Sequence, residues 1–144
     1  MKVLLDTSVL VAALIESHAM HGRAHPWLDR ALGGEFEWVA AAHSLAELFH
    51  VLTAYPVRPR ITPGTARHLI QENIVKHASV VSLTSADYTT VIRRMADLDV
   101  SVAVVYDALV LRAAERAHVD RILTFNVEDF RRLWPEGAAR IAAP

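Results

Sequence analysis

The chain has 144 residues, a formal net charge of -1 and no cysteine. Its length predicts one domain with a sizeable core, and the absence of thiols excludes disulfides and cysteine-ligated metal sites. No apolar run approaches the roughly 20 residues of a membrane span, so we expect a cytoplasmic protein without a membrane segment. The balanced charge means that any binding to nucleic acid depends on a local patch or on bound metal ions.

Helical and strand-like patterns alternate along the chain, without an internal repeat or a linker. Strands are predicted at 3–5, 36–41, 80–83 and 121–124, with a fifth, edge strand expected near Ile141. Helices are predicted at 8–16, 21–32, 44–54, 62–77, 85–98, 106–118 and 128–133. This alternation favours a single α/β domain with a mainly parallel four- or five-stranded sheet, covered by helices on both faces.

Asp6 directly follows the first predicted strand, an apolar run typical of a strand that is buried on both faces. In open α/β sheets, ligands bind beyond the carboxyl ends of the strands. Asp6 is therefore a candidate metal ligand. The alternative is that it caps the next helix, although Thr7 and Ser8 offer caps that place no charge at a buried strand end.

Two further carboxylates lie on predicted helices. Glu47 shares a narrow polar stripe with Ser44 and His50 on an otherwise apolar helix, and Ser44-x-x-Glu47 fits a capping box, which is the preferred interpretation of Glu47 alone. Asp107 lies on the apolar side of its helix, away from the polar stripe around Glu115. Because an unpaired, ionised carboxylate is costly there, Asp107 is either an N-cap or a buried ligand.

The last cluster follows the fourth predicted strand. Asn126 occupies a position like that of Asp6, and Asp129 lies one helical turn further. A structural interpretation is at least as good as a functional one, with Asn126 as the helix cap and Asp129 as an acid in the first helical turn. A parallel sheet gathers such strand ends and helix starts at one edge, and oxygen ligands favour Mg²⁺ or Mn²⁺. Crowded carboxylates raise one another's pKa unless a cation is present. Sites of this kind typically activate water for an in-line displacement at phosphorus.

Four short segments resemble, in the same order, the motifs of PIN-domain ribonucleases and, more narrowly, of the VapC-type toxins of bacterial toxin–antitoxin pairs. They are Leu5-Asp6-Thr7-Ser8-Val9-Leu10, Ala46-Glu47-Leu48, Tyr106-Asp107-Ala108-Leu109 and Thr124-Phe125-Asn126-x-x-Asp129-Phe130. The segment His21-x-x-x-His25-x-Trp27-Leu28 is also similar to that group. The resemblance extends over nearly the whole chain, and the length fits a single PIN domain.

The resemblance implies a metal-dependent endoribonuclease that uses Mg²⁺, or alternatively Mn²⁺, to cleave single-stranded RNA. The residues that match the family's metal-binding acids are Asp6, Glu47 and Asp107. Where the family often has a fourth acid, this chain has Asn126, with Asp129 as a substitute one turn away. Because of this difference, the resemblance does not decide between one bound metal ion and two. The residues similar to the hydroxyl positions that line the family's site are Thr124, Thr7 and Ser8. The resemblance further implies a homodimer and a cognate antitoxin protein that inserts a segment into the acidic pocket.

Other polar and aromatic residues have simpler interpretations. Arg58 and Arg60 lie in a stiff loop and are either RNA-backbone contacts or, as we prefer, a solvated basic loop. His18, His21 and His25 share one helical face, where surface or groove histidines are a better interpretation than a zinc site. The large aromatics Trp27, Phe49 and Trp134 are expected in the core or an interface rather than stacked on a nucleobase.

Two other functional classes remain as alternatives. The first is a non-catalytic PIN-like domain that only binds a partner protein, which Asn126 in place of an acid keeps open. The second is a phosphohydrolase for small esters, although its usual Asp-x-Asp after the first strand is absent, because Asp6 is followed by Thr7 and Ser8. Metal-stimulated turnover of RNA, but not of small esters, distinguishes the three classes.

Overall fold

A computed structural model of the chain describes residues 1–100 and 104–144. In these ranges five strands form one sheet: β1 (Lys2–Leu5), β2 (Glu37–Ala41), β3 (Ser79–Val81), β4 (Arg121–Leu123) and β5 (Ile141–Ala142). Their order is β3-β2-β1-β4-β5, and all neighbouring strands are parallel. The predicted parallel sheet is confirmed, including the edge strand at Ile141.

The helices follow the predicted order with small differences at their ends. They are α1 (Thr7–Leu14), α2 (His21–Leu32), α3 (Ala42–Ala54), α4 (Pro63–Ile70), α5 (Ser85–Asp97), α6 (Val104–Ala117) and α7 (Val127–Leu133). The helix predicted for 62–77 is divided, because α4 continues as a π-helical segment, Gln71–Val75. A 3₁₀ segment, Pro135–Arg140, precedes β5. None of the helices described is long and apolar enough to cross a membrane.

The sheet separates two apolar layers, because successive side chains of a strand point to opposite faces. In β1, Val3 and Leu5 pack with α1 to α4, whereas Leu4 packs with α5 to α7. All three side chains are fully buried. Burying each one stabilises the fold by about 1.5–3 kcal/mol, which explains why the first strand is a continuous apolar run.

The strand order places the carboxyl ends of β1 and β4 beside a natural crevice. The chain leaves β1 toward β2 and β3 on one side, and later returns to β4 and β5 on the other. A reversal of this kind opens a cleft between the two connections, where ligands of open α/β sheets bind. Asp6 and Thr124 are the first residues after β1 and β4, so both lie at this cleft.

The capping box expected at Ser44 is wrong. Helix α3 begins at Ala42, and Ser44 is inside its first turn, where its buried Oγ accepts a hydrogen bond of 2.9 Å from Thr7 Oγ1. A capping box forms instead at Thr84 and Asp87, at the start of α5. Since Glu47 lies inside α3 and does not bond back to a helix cap, its position needs another explanation.

Asp107 also does not cap its helix, because α6 already includes Val104 and Asp107 lies within its first turn. The polar stripe on the other side of α6 is not simply solvated. Its members Arg112 and Arg116 contact the buried carboxylate of Asp87 at 2.9 and 3.0 Å, and Glu115 pairs with an arginine of α5. This ion-pair network fastens α6 to α5 and leaves Asp107 on the side that faces the cleft.

Candidate active site

Asp6 is the most enclosed of the predicted acidic residues, with 2% of its surface exposed. Its Oδ2 accepts hydrogen bonds from Ser8 Oγ at 2.7 Å and Thr124 Oγ1 at 2.8 Å, and a longer one from the Ser8 backbone N–H at 3.4 Å. Asp6 is therefore the N-cap of α1 as well as a carboxylate at the cleft. Burial raises the pKa of Asp6, and the hydrogen bonds from Ser8 and Thr124 oppose that increase.

The hydroxyl groups beside Asp6 join the ends of β1 and β4 into one unit. Ser8 Oγ accepts from the Phe125 N–H at 3.1 Å, and Thr124 Oγ1 accepts from the Asn126 N–H at 3.0 Å. Thr124 is fully buried, and its hydroxyl donates to Asp6. Thr124 thus fixes the orientation of the Asp6 carboxylate from behind, whereas Ser8 lies at the pocket surface.

A pocket of about 350 Å³ opens at this edge of the sheet. It brings together all three residues expected to bind metal, Asp6, Glu47 and Asp107, although they come from three distant parts of the sequence. Others that line it include Thr7, Ser8, Asn126 and His18. The hydroxyl of Thr7 is engaged with Ser44, so that it ties α1 to α3 beneath the pocket.

The three carboxylates influence one another electrostatically. Burial, and secondarily the charge of Asp6, raise the pKa of Glu47 from 4.5 to about 7. Burial raises the pKa of Asp107 from 3.8 to about 7, with additional contributions from Asp6, Asp129 and Glu47. Like charges in a partly desolvated pocket disfavour simultaneous ionisation. A bound cation would relieve this repulsion, so the pocket has the electrostatic character of a cation site.

The side chain of Glu47 provides a second indication of a cation site. Its Oε1 lies 3.2 Å from His43 Nε2, but the pair does not have hydrogen-bond geometry, and neither atom has another hydrogen-bond partner among the described residues. A buried oxygen without a partner is costly, and a cation would satisfy it. Carboxylates without thiolates also match the oxygen preference of Mg²⁺ and Mn²⁺. The residues therefore fit the ion, although within 1–100 and 104–144 no three acidic or histidine groups form a ready-made cluster around one point.

The two residues proposed near a fourth ligand position differ in placement. Asn126 lines the acidic pocket, and its side chain makes no capping hydrogen bond to the described part of the chain, although it is the N-cap of α7. Asp129 is bonded to Arg132 at 3.1 Å and is about half exposed. It contributes to the raised pKa of Asp107, which places it within electrostatic reach of the site.

The histidines and arginines considered in the sequence lie in different parts of the structure. His21 and His25 stack on each other, and they contact the backbone carbonyls of Ala12 and Ala13 at the end of α1, whereas His18 precedes α2 and lines the acidic pocket. Arg58 lines a separate cavity with Glu16, and Arg60 donates to the Thr53 carbonyl.

Two aromatic residues next to the acidic pocket were not predicted. The rings of His43 and Tyr106 stack with a centroid separation of 5.1 Å and an interplanar angle of 10°. Tyr106 immediately precedes Asp107, and His43 lies one turn before Glu47, so their proximity to the two acids was the available signal in the sequence.

The fold and the pocket together define an α/β protein with a parallel sheet and a group of carboxylates where the strand order reverses. The chain belongs to the PIN domain family, whose model matches residues 3–133. This match confirms the predicted PIN-like domain.

Two curated relatives place the chain near a particular branch of that family. Ribonuclease VapC27 of Mycobacterium tuberculosis is 32% identical over 110 residues, which cover 76% of this chain and 74% of the relative. Ribonuclease VapC40 of the same species is 33% identical over 131 residues, with coverages of 89% and 91%. The predicted similarity to VapC-type proteins is confirmed.

Solved structures agree on the fold. Mycobacterium tuberculosis VapC20, described as a toxin that cleaves the sarcin–ricin loop, superposes with a TM-score of 0.69 at 15% identity over 88% of this chain and 92% of that chain. VapBC2 of Rickettsia felis, solved bound to a DNA fragment from its promoter, gives a TM-score of 0.66 at 12% identity and covers 100% of this chain and 99% of that one. At these identities the structures support the fold alone.

Proposed function

We propose that the chain is a metal-dependent endoribonuclease and the toxin of a type II toxin–antitoxin pair. The observation that carries the proposal is the common pocket of Asp6, Glu47 and Asp107, in which the pKa values of Glu47 and Asp107 are raised to about 7. The names of its relatives VapC27 and VapC40, both ribonucleases, support RNA as the substrate. The proposed substrate is a cellular RNA of the tRNA, rRNA or mRNA class.

In this proposal Asp6, Glu47 and Asp107 hold Mg²⁺ or Mn²⁺. When bound, the ion activates water and stabilises negative charge at the scissile phosphate. Thr124 and Ser8 hold the Asp6 carboxylate by its Oδ2, so that their hydrogen bonds fix its orientation before substrate binds. Asn126 is a neutral group at the pocket, and Asp129 adds negative charge beside Asp107.

The same proposal includes a cognate antitoxin and a homodimer in the cytoplasm. Support for the antitoxin comes from the VapBC2 structure, which has the same fold and was solved with promoter DNA. An antitoxin side chain carrying positive charge would complement the acidic pocket in the way that a metal ion does.

The proposed activity is tested with purified, antitoxin-free protein and total cellular RNA in Mg²⁺ or Mn²⁺. We expect discrete fragments from the wild type and none from Asp6→Asn, Asp107→Asn or chelator-treated samples. Folding of each variant is checked by circular dichroism, and a small phosphate ester serves as a second substrate. Intact RNA from folded wild-type protein would favour the non-catalytic binding domain, and turnover of the ester alone would favour the phosphohydrolase.

A further inference from the structure

The stacked pair of His43 and Tyr106 forms one wall of a second pocket, of about 410 Å³, which is lined also by Ala46, His50 and Val51. Glu47 and Val51 line both this pocket and the acidic one, so the two are neighbours with a shared boundary. We call it the aromatic pocket. Its position means that a ligand with a charged group at the carboxylates can extend directly into it.

The aromatic pocket has the composition of a stacking site. Tyr106 is 46% exposed, which is high for a large aromatic side chain. It packs with neither of the two core layers, so its ring is available to a ligand. The ring of His43 supports that of Tyr106 from one side at a small interplanar angle. Proteins that bind single-stranded nucleic acids stack unpaired bases on exposed aromatic rings of this kind.

The two polar atoms at the boundary with the acidic pocket do not contact the base. His43 Nε2 and Glu47 Oε1 are buried without hydrogen-bond partners among the described residues. These two atoms lie 3.2 Å from each other, and His43 covers the face of Tyr106 opposite to an added base, so the base is held by stacking on Tyr106. Of the aromatics considered in the sequence, Trp27 packs beside Phe36 with a centroid separation of 6.1 Å, and Trp134 packs into a core layer. Phe49 is 43% exposed, but it lines a separate cavity whose lining does not include the three carboxylates.

Resting on the proposed ribonuclease function, we infer that the aromatic pocket binds the unpaired nucleobase of a nucleotide adjacent to the scissile phosphate, stacked on Tyr106. The chain therefore selects RNA in which this base is free to leave a helix. Base–aromatic stacking contributes about 1–3 kcal/mol per base, which corresponds to roughly a tenfold change or more in kcat/KM or affinity.

The test uses short unstructured RNA oligonucleotides that carry a single 2-aminopurine at successive positions, with Ca²⁺ in place of Mg²⁺ and intact RNA verified on a gel. Wild-type protein should quench the fluorescence at one position most strongly. Tyr106→Ala should lose that quenching and bind about tenfold more weakly, whereas Tyr106→Phe should retain it because the ring remains. Tyr88→Ala is the matched control, since Tyr88 is similarly exposed at 42% but lies on α5 and lines neither pocket.

Cleavage provides the second measurement. In Mg²⁺, an abasic nucleotide at the quenched position should reduce kcat/KM of the wild type about tenfold but should have little further effect on Tyr106→Ala. Equal losses in both proteins would overturn the stacking site while leaving the ribonuclease intact. Specific quenching without cleavage would support the pocket and reject the hydrolytic function. Unchanged RNA binding by Tyr106→Ala, together with weaker antitoxin binding, would assign the pocket to a protein partner and refute the inference.

Discussion

Replacing Asp107 by asparagine should stabilise the metal-free protein at pH 8, even though it should abolish RNA cleavage. Burial and neighbouring carboxylates raise the pKa of Asp107 from 3.8 to about 7. Between these values the unfolded chain releases the proton while the folded chain retains it, so the free energy of unfolding falls as the pH rises. Asparagine carries no charge and therefore removes this loss.

The size of the effect follows from the pKa. At 1.36 kcal/mol per unit, a change from 3.8 to about 7 corresponds to at most about 4 kcal/mol for a fully isolated charge. The pocket is open to water, which screens the repulsion, so we expect about 1 kcal/mol. For a domain of this length that is an increase in Tm of about 3–5 °C. The gain should decline steadily as the pH is lowered from 7 toward 4.

The assay is thermal and urea unfolding in chelator between pH 5 and pH 8, comparing wild type with Asp107→Asn. Asp97→Asn is the control, because this exposed carboxylate lies at the end of α5 and its replacement should have the same effect at both pH values. The reasoning is refuted if Asp107→Asn is less stable than wild type at pH 8, or if its advantage is equal at pH 5 and pH 8.

Mg²⁺ at about 100 times its Kd should raise the free energy of unfolding of the wild type by about 2.7 kcal/mol, and chemical denaturation should show no such increase for Asp6→Asn. Thr124→Val removes a buried hydroxyl that donates to Asp6, so it should lower the free energy of unfolding by about 1–3 kcal/mol in urea titrations and reduce cleavage. The control is Thr53→Val, which removes an exposed hydroxyl bonded within its own helix and should change the free energy of unfolding by less than about 0.5 kcal/mol. Hydrogen bonds from Thr84 and the pairing with Arg112 lower the pKa of Asp87, so its stabilising effect should be present at neutral pH and be lost on acidification through that lowered pKa. Asp87→Asn should therefore have a lower Tm than wild type at pH 7 and a smaller deficit in acid, and a deficit that grows in acid would contradict this account.

Local patterns were sufficient for much of the architecture. The buried apolar run before Asp6 and the alternation of strand and helix patterns depend on the period of hydrophobic residues, which is a property of neighbouring residues. The strand at Ile141 is too short to show such a period, and its place depends on pairing with β4. Among the acidic positions, the local pattern distinguished Asp107 but not Glu47, which by itself fitted a capping box. Asp107, for example, stands out because it lies on the apolar side of α6.

Other features depend on contacts between distant segments. Ser44 and Glu47 fit a capping box by spacing, but the true start of α3 and the hydrogen bond from Thr7 give Ser44 a different role. The polar stripe of α6 was indistinguishable from a solvated face until its ion pairs with α5 were visible. In both cases the competing partner is far away in sequence, so no local rule detects it.

The sequence by itself determined most of the strands and helices and their order, because the period of hydrophobic residues is a local property. Only the tertiary structure decided that Asp6, Glu47 and Asp107 share one pocket, that Thr124 orients Asp6 across two strands, and that the His43–Tyr106 pair lies beside them. Those relations arise from the order of parallel strands and the packing of helices on them. The electrostatic coupling of the three carboxylates follows from that convergence, since burial and mutual repulsion exist only once the chain has folded.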